Sequence, residues 1–508
     1  MVTAIATLVA MAVLLPPAYL VVRTLEGGEA AWDAVAQSRT LHIVVDTLAL
    51  AAAVTLASIA LSLPLAWLTA RTDLPVRRFW LVVLSLPLVF PSYVAAYALV
   101  AAIGPSGLFQ DLLEPLGVSS LPDIYGFTGS WLVLVLIAYP YVLLTTHAGF
   151  AGLDSTLEEA SRGLGKGAAE TFLRVTLPAL RPSIAAGAVL VALYTLSDFG
   201  AVSILRFDSL TNIIFIQYKS SFDRSAASAL ALVLVVVALL VVVLEGATRG
   251  RALYHSRAKR AGRPVALGRW KWPAVAFCGL VATLALLLPL AVIVYWAVKG
   301  SAGGLSGTSA INSVSASGLA AAATLAAALP VAFLAARYPG MVSSVLEKAM
   351  YSGFALPGIS IALALVFFAS NFATPLYQTM TLLVFAYAVR FLPEAVGSCR
   401  SSLLQVNPST EEAAGGLGAP PLRVFWKITL PQMLPGLSAG ALLVFLTAMK
   451  ELPITLLLSP IGFETLATDI WNSTSGAFFA RAALPSLVLI GLSAIAVLLM
   501  VRRGGIET

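Results

Sequence analysis

Glu158-Glu159-Ala160-Ser161-Arg162-Gly163-Leu164-Gly165 returns further along the chain as Glu411-Glu412-Ala413-Ala414-Gly415-Gly416-Leu417-Gly418. The offset, 411 minus 158, is 253 positions. The same offset carries Leu177-Pro178 onto Leu430-Pro431, Pro182 onto Pro435, Gly187 onto Gly440 and Pro140 onto Pro393. Upstream, Pro64 and Arg71 fall on Pro330 and Arg337 at an offset of 266, 337 minus 71. Self-similarity on this scale means one structural unit written twice. The first repeat is expected over 1–248 and the second over 273–508, joined by a basic linker over 249–272.

What surrounds the repeated stretch sets the fold class. Of 508 residues, 59% are apolar and 11% charged, against about 45–50% and 25% in soluble domains. The surplus is gathered into twelve runs of about 20 residues, the length that crosses a hydrocarbon core. They lie near 2–22, 44–70, 80–103, 130–150, 183–205 and 226–246, then 273–298, 313–336, 349–371, 378–399, 436–459 and 482–501. Backbone amides in lipid have no water to bond, so each run is predicted to be a helix. Pro87, Pro140, Pro357 and Pro393 are expected inside helices, with neighbouring helices covering the freed carbonyls. The expectation is an all-α membrane protein of about 12 transmembrane helices in two homologous six-helix halves. The first run has no basic flank and no small-residue cleavage site, so it reads as a helix rather than a signal peptide.

Charge sets the orientation. With the N-terminus inside, the inner loops and tail hold 22 of the 31 Lys and Arg residues. The outer loops hold seven: Arg23, Arg39, Arg206, Lys219, Arg224, Lys299 and Arg481. That asymmetry places both termini in the cytoplasm by the positive-inside rule. An even number of helices per repeat gives both copies one orientation, with a pathway between the halves. The net charge of +7 follows from this anchoring and carries no nucleic-acid signal. The linker, with eight basic residues from Arg249 to Lys271 and no acidic one, obeys the same rule, although a lipid-headgroup or partner contact is the other reading.

Each copy of the repeated motif falls between the fourth and fifth helices of its half, on the inner side. Leu164, Phe172, Leu173, Val175 and Leu177 have the spacing of short amphipathic helices lying on a surface. Gly165 and Gly418 stand where two such helices must turn, and Pro182 and Pro435 where the next membrane helix is expected to start. Here the chain resembles a known family. Glu-Ala-Ala-x3-Gly-x9-Ile-x-Leu-Pro is the coupling-loop signature of the membrane subunits of ABC importers. Glu412, Ala413, Ala414, Gly418, Ile428, Leu430 and Pro431 match it fully, and the first copy departs only at Ser161 and Val175.

The resemblance is to the fused double permeases of ferric-iron importers in particular. Ala70-Arg71-Thr72-Asp73-Leu74-Pro75, Leu86 to Val94, Ser197 to Val202 and Met449 to Pro453 are all similar to that group. It implies a type I importer permease fold with coupling loops at 154–182 and 407–435. It implies that Glu158, Glu159, Ala160, Gly165, Leu177 and Pro178 meet one cytoplasmic ATPase subunit. Glu411, Glu412, Ala413, Gly418, Leu430 and Pro431 would meet a second copy. A periplasmic binding protein would dock on the outer loops, including 102–129 and 206–225, and deliver a substrate, ferric iron before thiamine, polyamine, phosphonate or sulfate. The chain would be no enzyme and bind no cofactor. ATP and Mg would sit on the partner ATPase, and the location would be a bacterial inner membrane. Gly163-Leu164-Gly165-Lys166-Gly167 does not make this chain the ATPase: the first glycine of a phosphate loop and the Ser/Thr after the lysine are missing.

Charges at membrane depth are costly and line cavities or meet partners. Asp198 and the Lys450/Glu451 pair are equivalent at the 253 offset. With Tyr194 they are candidates for the pathway or its gate. The structural alternative pairs Lys450 with Asp198, and Arg390 with Glu394 one helical turn away. The two cysteines and three histidines form no metal-ligand or nucleophile pattern, so catalytic and metal residues are both read as none. A secondary transporter driven by an ion gradient would explain the repeat and the buried charges, but not two paired inner loops.

Overall fold

Chain segments that must satisfy their own amides become helices, and that is what the chain does. The computed structural model describes residues 2–503 except 106, 118–120, 221–224, 249–263, 301–306 and 354–355. Among them eleven helices are long and apolar enough to cross a membrane, and a shorter apolar one spans Gly358–Phe372. No strand occurs among the described residues, only an isolated bridge between Thr72 and Val265. The helices turn large apolar side chains outward, among them Leu8, Leu56, Leu240 and Val243. A water-soluble monomer rarely tolerates exposed apolar surface on that scale; lipid welcomes it. The chain is an all-α, multi-pass membrane protein. Most of the linker, 249–263, lies outside the described residues, as do 106, 118–120 and 221–224 of the two outer loops.

Several of the apolar runs are not single helices. The run at 80–103 divides into Arg77–Ser85, a 3-10 turn at Leu86–Val89, and Ser92–Ile103. Phe90, the residue before Pro91, is extended at φ −75° and ψ 128°, because the proline ring disfavours a helical conformation before it. The run at 349–371 divides likewise into Met341–Ser352 and Gly358–Phe372, with Pro357 extended at the junction. Pro87 and Pro357 therefore punctuate helices rather than lying inside them. Pro140 and Pro393 do lie inside Phe127–Ala151 and Met380–Gln405.

The chain gathers into two compact units whose membership differs from the order of the repeats. One holds Ser38–Ile213 and Val236–Lys299; the other holds Met1–Gln37, Ile214–Val235 and Gly300–Thr508. In the first, the helices of Lys271–Lys299 pack with the Arg77–Ser85 and Ser92–Ile103 helices. Leu65, Leu84, Leu143, Phe150, Leu180 and Cys278 form a buried cluster there. Tyr139 sits within it, donating its hydroxyl to Leu84 O at 2.7 Å. In the second unit, Val2–Glu26 packs against Gly307–Arg337 and Gly358–Phe372, and the Tyr19 ring meets Phe368 edge-on at 5.5 Å. Cys278 and Cys399 are both free and buried.

Candidate functional site

The two repeated loops share one construction. Asp154 caps the Ser155–Gly163 helix by accepting from Thr156 N, and Asn407 caps Pro408–Gly416 by accepting from Ser409 N, both at 3.1 Å. Each helix stops at a left-handed glycine, Gly165 at φ +82° and Gly418 at φ +80°. Gly165 N–H donates to Arg162 O at 2.9 Å and Lys166 N–H to Ser161 O at 3.3 Å; Gly418 and Ala419 repeat the pattern onto Gly415 and Ala414. That is a Schellman termination. Nothing crowds either glycine, so its backbone conformation, and not a close contact, is what calls for glycine.

The paired glutamates divide their work. Glu158 turns inward, pairing with Arg71 at the end of Ser38–Arg71 and accepting the Thr176 hydroxyl at 2.8 Å. Glu411 does the same with Arg337 at 3.0 Å and Thr429 at 2.8 Å. Both are expected to meet the ATPase; within this chain their carboxylates brace the loop against the bundle. The neighbouring residues face out. Glu159, Ala160 and Gly165 are exposed with Leu164 at 81%, and Glu412, Ala413 and Gly418 with Leu417 at 90%. Ser161, a departure from the repeat, bonds the Thr171 hydroxyl at 3.0 Å. At the same offset the second copy has apolar Ala414 and Val424, so both partners changed together.

From each loop one helical rod runs inward. A single π turn, Phe172–Thr176 or Phe425–Thr429, precedes Leu177-Pro178 or Leu430-Pro431. The helices then continue as Leu177–Ser197 and Leu430–Met449. Pro182 and Pro435 lie inside these helices rather than at their starts, because the helix begins at the preceding Leu-Pro step. The π turn falls where the imide of that step cannot donate.

Each rod ends at a break that composition does not reveal, since both sides of it are apolar. Asp198 is extended between Leu177–Ser197 and Gly200–Ile204. Its Oδ1 accepts Ala201 N at 2.9 Å and Val202 N at 3.4 Å, and Ser92 is a further hydrogen-bond partner. Tyr194, one turn back, packs its ring against that of Tyr141, 5.8 Å away and tilted by 46°. In the second repeat Lys450 and Glu451 occupy the break before Pro453–Leu458. Arg390 pairs with Glu451 at 3.1 Å and donates to Leu356 O at 3.0 Å. Glu394 accepts the Thr447 hydroxyl at 3.2 Å and interacts electrostatically with Lys450.

Arg390 forms its ion pair with Glu451, which the helix break brings to it, and it also acts electrostatically on Glu394 one turn along its own helix. Asp198 caps the Gly200–Ile204 helix, and Glu394 acts electrostatically on Lys450. Sequence reading missed Gly358: a Cβ there would stand 2.5 Å from Glu451 Oε1 and 3.2 Å from Arg390 Cζ. Its signal was the Pro-Gly step at 357–358. Among the described residues, no three of His, Cys, Asp and Glu are grouped to hold a metal ion.

Comparison with known proteins places this geometry. The family described as binding-protein-dependent transport system inner membrane component matches residues 62–249 and 328–504. The chain is 32% identical to the Fe(3+)-transport system permease protein FbpB 2 of Haemophilus influenzae, over 98% of this chain and 97% of the relative. It is 24% identical to the ferric transport system permease protein FbpB of Actinobacillus pleuropneumoniae, over 81% of this chain and 64% of the relative. The spermidine/putrescine transport system permease protein PotB of Escherichia coli matches 41% of this chain at 30% identity, over 78% of its own length.

Proposed function

The chain belongs to the binding-protein-dependent transport system inner membrane components, the permease subunits of ABC importers, and from that premise we propose that it carries ferric iron. The type I permease fold is present in two repeats, and the subunits of this family are permeases, not enzymes, and bind no cofactor themselves. They work with an ATPase and a periplasmic binding protein in the inner membrane. The observation that carries the iron reading is the full-length likeness to a ferric permease, 32% over 98% of the chain. The polyamine permease covers less than half of it.

In this reading the ATPase is a separate polypeptide, holding ATP and Mg. Two copies dock, one on Glu159-Ala160-Leu164-Gly165 and one on Glu412-Ala413-Leu417-Gly418. Leu177, Pro178, Leu430 and Pro431 stiffen the root of each loop. Both termini and the loops face the cytoplasm, as the excess of inner Lys and Arg favours. The repeats span 1–248 and 273–508 with 249–272 as linker, and the outer loops receive the binding protein.

The helix geometry supplies a transmission. Leu177–Ser197 has 21 residues, about 30 Å at 1.5 Å per residue, so one rod connects a docking loop to the Asp198 break. The Arg71–Glu158 and Arg337–Glu411 pairs keep each loop from swivelling on its rod. A push on the loop then arrives at Asp198 with Tyr194, or at Lys450 with Glu451, where a broken helix can hinge. These four residues are the gate in this proposal, and the two gates are chemically unlike.

The test is uptake by cells that lack other ferric importers and express this chain with its neighbouring binding protein and ATPase. ATP-dependent accumulation of ferric iron, with none of spermidine, thiamine or sulfate, is expected. Accumulation of one of those and not of iron overturns the substrate.

A further inference from the structure

The described end of the linker forms a built surface. Val265 N–H donates to Arg71 O at 2.8 Å, and Asp73 N–H to Val265 O at 3.1 Å. Leu267 N–H donates to Asp73 Oδ1 at 2.9 Å, while Lys271 Nζ stands 3.4 Å from Asp73 Oδ2. These bonds pin residues 264–271 beside the end of the Ser38–Arg71 helix. They hold open a groove of about 410 Å³ walled by Trp67, Leu68, Val265, Leu267, Trp270 and Pro273.

The walls are almost wholly apolar, but the surroundings are cationic. Arg269 is exposed between two wall residues, Lys271 follows, and Arg77 and Arg78 stand exposed four and five residues beyond Asp73. Asp73 is the acidic residue among them, and its two oxygens are already engaged. Trp270 and Trp272 are 63% and 76% exposed, where water would gain nothing from them but a bilayer interface would.

We propose that this groove holds an anionic phospholipid. One acyl chain lies between Trp67 and Trp270, and the phosphate meets Arg269 with the neighbouring cations. Charge complementarity selects the occupant: a zwitterionic lipid fills the trough but leaves the cations unanswered, and a soluble anion answers the cations but leaves the trough empty. The lipid would fix the point at which the linker enters the membrane. Each cation near an anionic headgroup contributes about fivefold in affinity.

Acyl-chain bromine quenches tryptophan on contact, which gives a direct test. The full-length protein is placed in phosphatidylcholine nanodiscs doped with bromine-labelled phosphatidylglycerol or, in parallel, bromine-labelled phosphatidylcholine. Trp270→Phe, compared with the unmodified chain, isolates the emission of Trp270 among the nine tryptophans. The phosphatidylglycerol label should quench that share at several-fold lower content than the phosphatidylcholine label. Arg269→Gln should cut the preference by about fivefold while leaving quenching at high label content intact. Equal quenching by the two labels overturns the proposal, and so does none by either, which would mean that polypeptide covers the groove. Native mass spectrometry of unmodified and Arg269→Gln protein provides a readout that does not depend on Trp270→Phe folding. A phosphatidylglycerol adduct equally retained by both overturns the proposal as well.

Discussion

Arg390 and Glu451 form an ion pair at 3.1 Å over Gly358, with room for the carboxylate only because that residue has no Cβ. The first repeat has Ser92, Ile137 and Asp198 at the equivalent places, so it closes the same junction with a hydroxyl–carboxylate bond instead. Arg390→Ile should leave a buried carboxylate unpaired and cost about 3–5 kcal/mol, lowering the unfolding midpoint in detergent. Adding Gly358→Ser and Glu451→Asp imports the whole first-repeat solution and should recover most of that loss. A triple variant no more stable than Arg390→Ile would show that the two junctions are not interchangeable.

Gly165 and Gly418 hold left-handed backbone in open surroundings. Alanine at either should cost about 1–2 kcal/mol locally and tilt the helix that follows. With both replaced, ATP hydrolysis should continue while iron uptake falls, so the measurement is iron moved per ATP hydrolysed in proteoliposomes. An unchanged ratio in the double variant removes these turns from the transmission.

The two glutamates of each loop should separate in mutagenesis. Glu158→Gln with Glu411→Gln removes two bracing ion pairs, each a charged contact of about 1.5–3 kcal/mol, and should lower the melting temperature with the ATPase still bound. Glu159→Lys with Glu412→Lys alters exposed positions whose effect on stability is about 0.5 kcal/mol or less, and should abolish ATPase co-purification. The reverse pattern would mean that the carboxylates exchange roles when the ATPase docks.

Asp73 is held below its ordinary carboxylate value chiefly by the Leu267 N–H it accepts. A depressed acid contributes stability above its unfolded value and loses it as the pH falls through the folded one. The pinned segment should therefore loosen as the pH falls below the ordinary carboxylate value of about 3.9, seen as a change in Trp270 emission. Asp73→Asn keeps an acceptor for Leu267 and should flatten that response. An identical titration in the variant would assign the change to another group.

Loops and breaks differ in how far the chain alone reveals them. The loops were readable because Glu-Glu-Ala, a glycine and Leu-Pro recur at one offset, and a left-handed turn leaves glycine as its residue. The inward turn of Glu158 was not, since its partner Arg71 is 87 residues away and exposure leaves no trace in a short polar helix. The breaks at Asp198 and Lys450 hid inside runs whose composition stays apolar on both sides. Hydropathy measures what a segment contains, whereas a break depends on a proline imide or a capping carboxylate. The membership of the two units was equally hidden, because an apolar stripe specifies burial but not the helix that buries it.

That membership has a consequence for biogenesis. Val2–Glu26 packs on Gly307–Arg337 and Gly358–Phe372, which leave the ribosome roughly 300 residues later. At about 5–20 residues per second this is a wait of about 15–60 s. During that time a newly inserted helix has lipid or an insertase for company in place of its final neighbours. Assembly of this chain is therefore bound to finish from its distal end, and mutations in Gly307–Arg337 should register first as degradation of nascent protein.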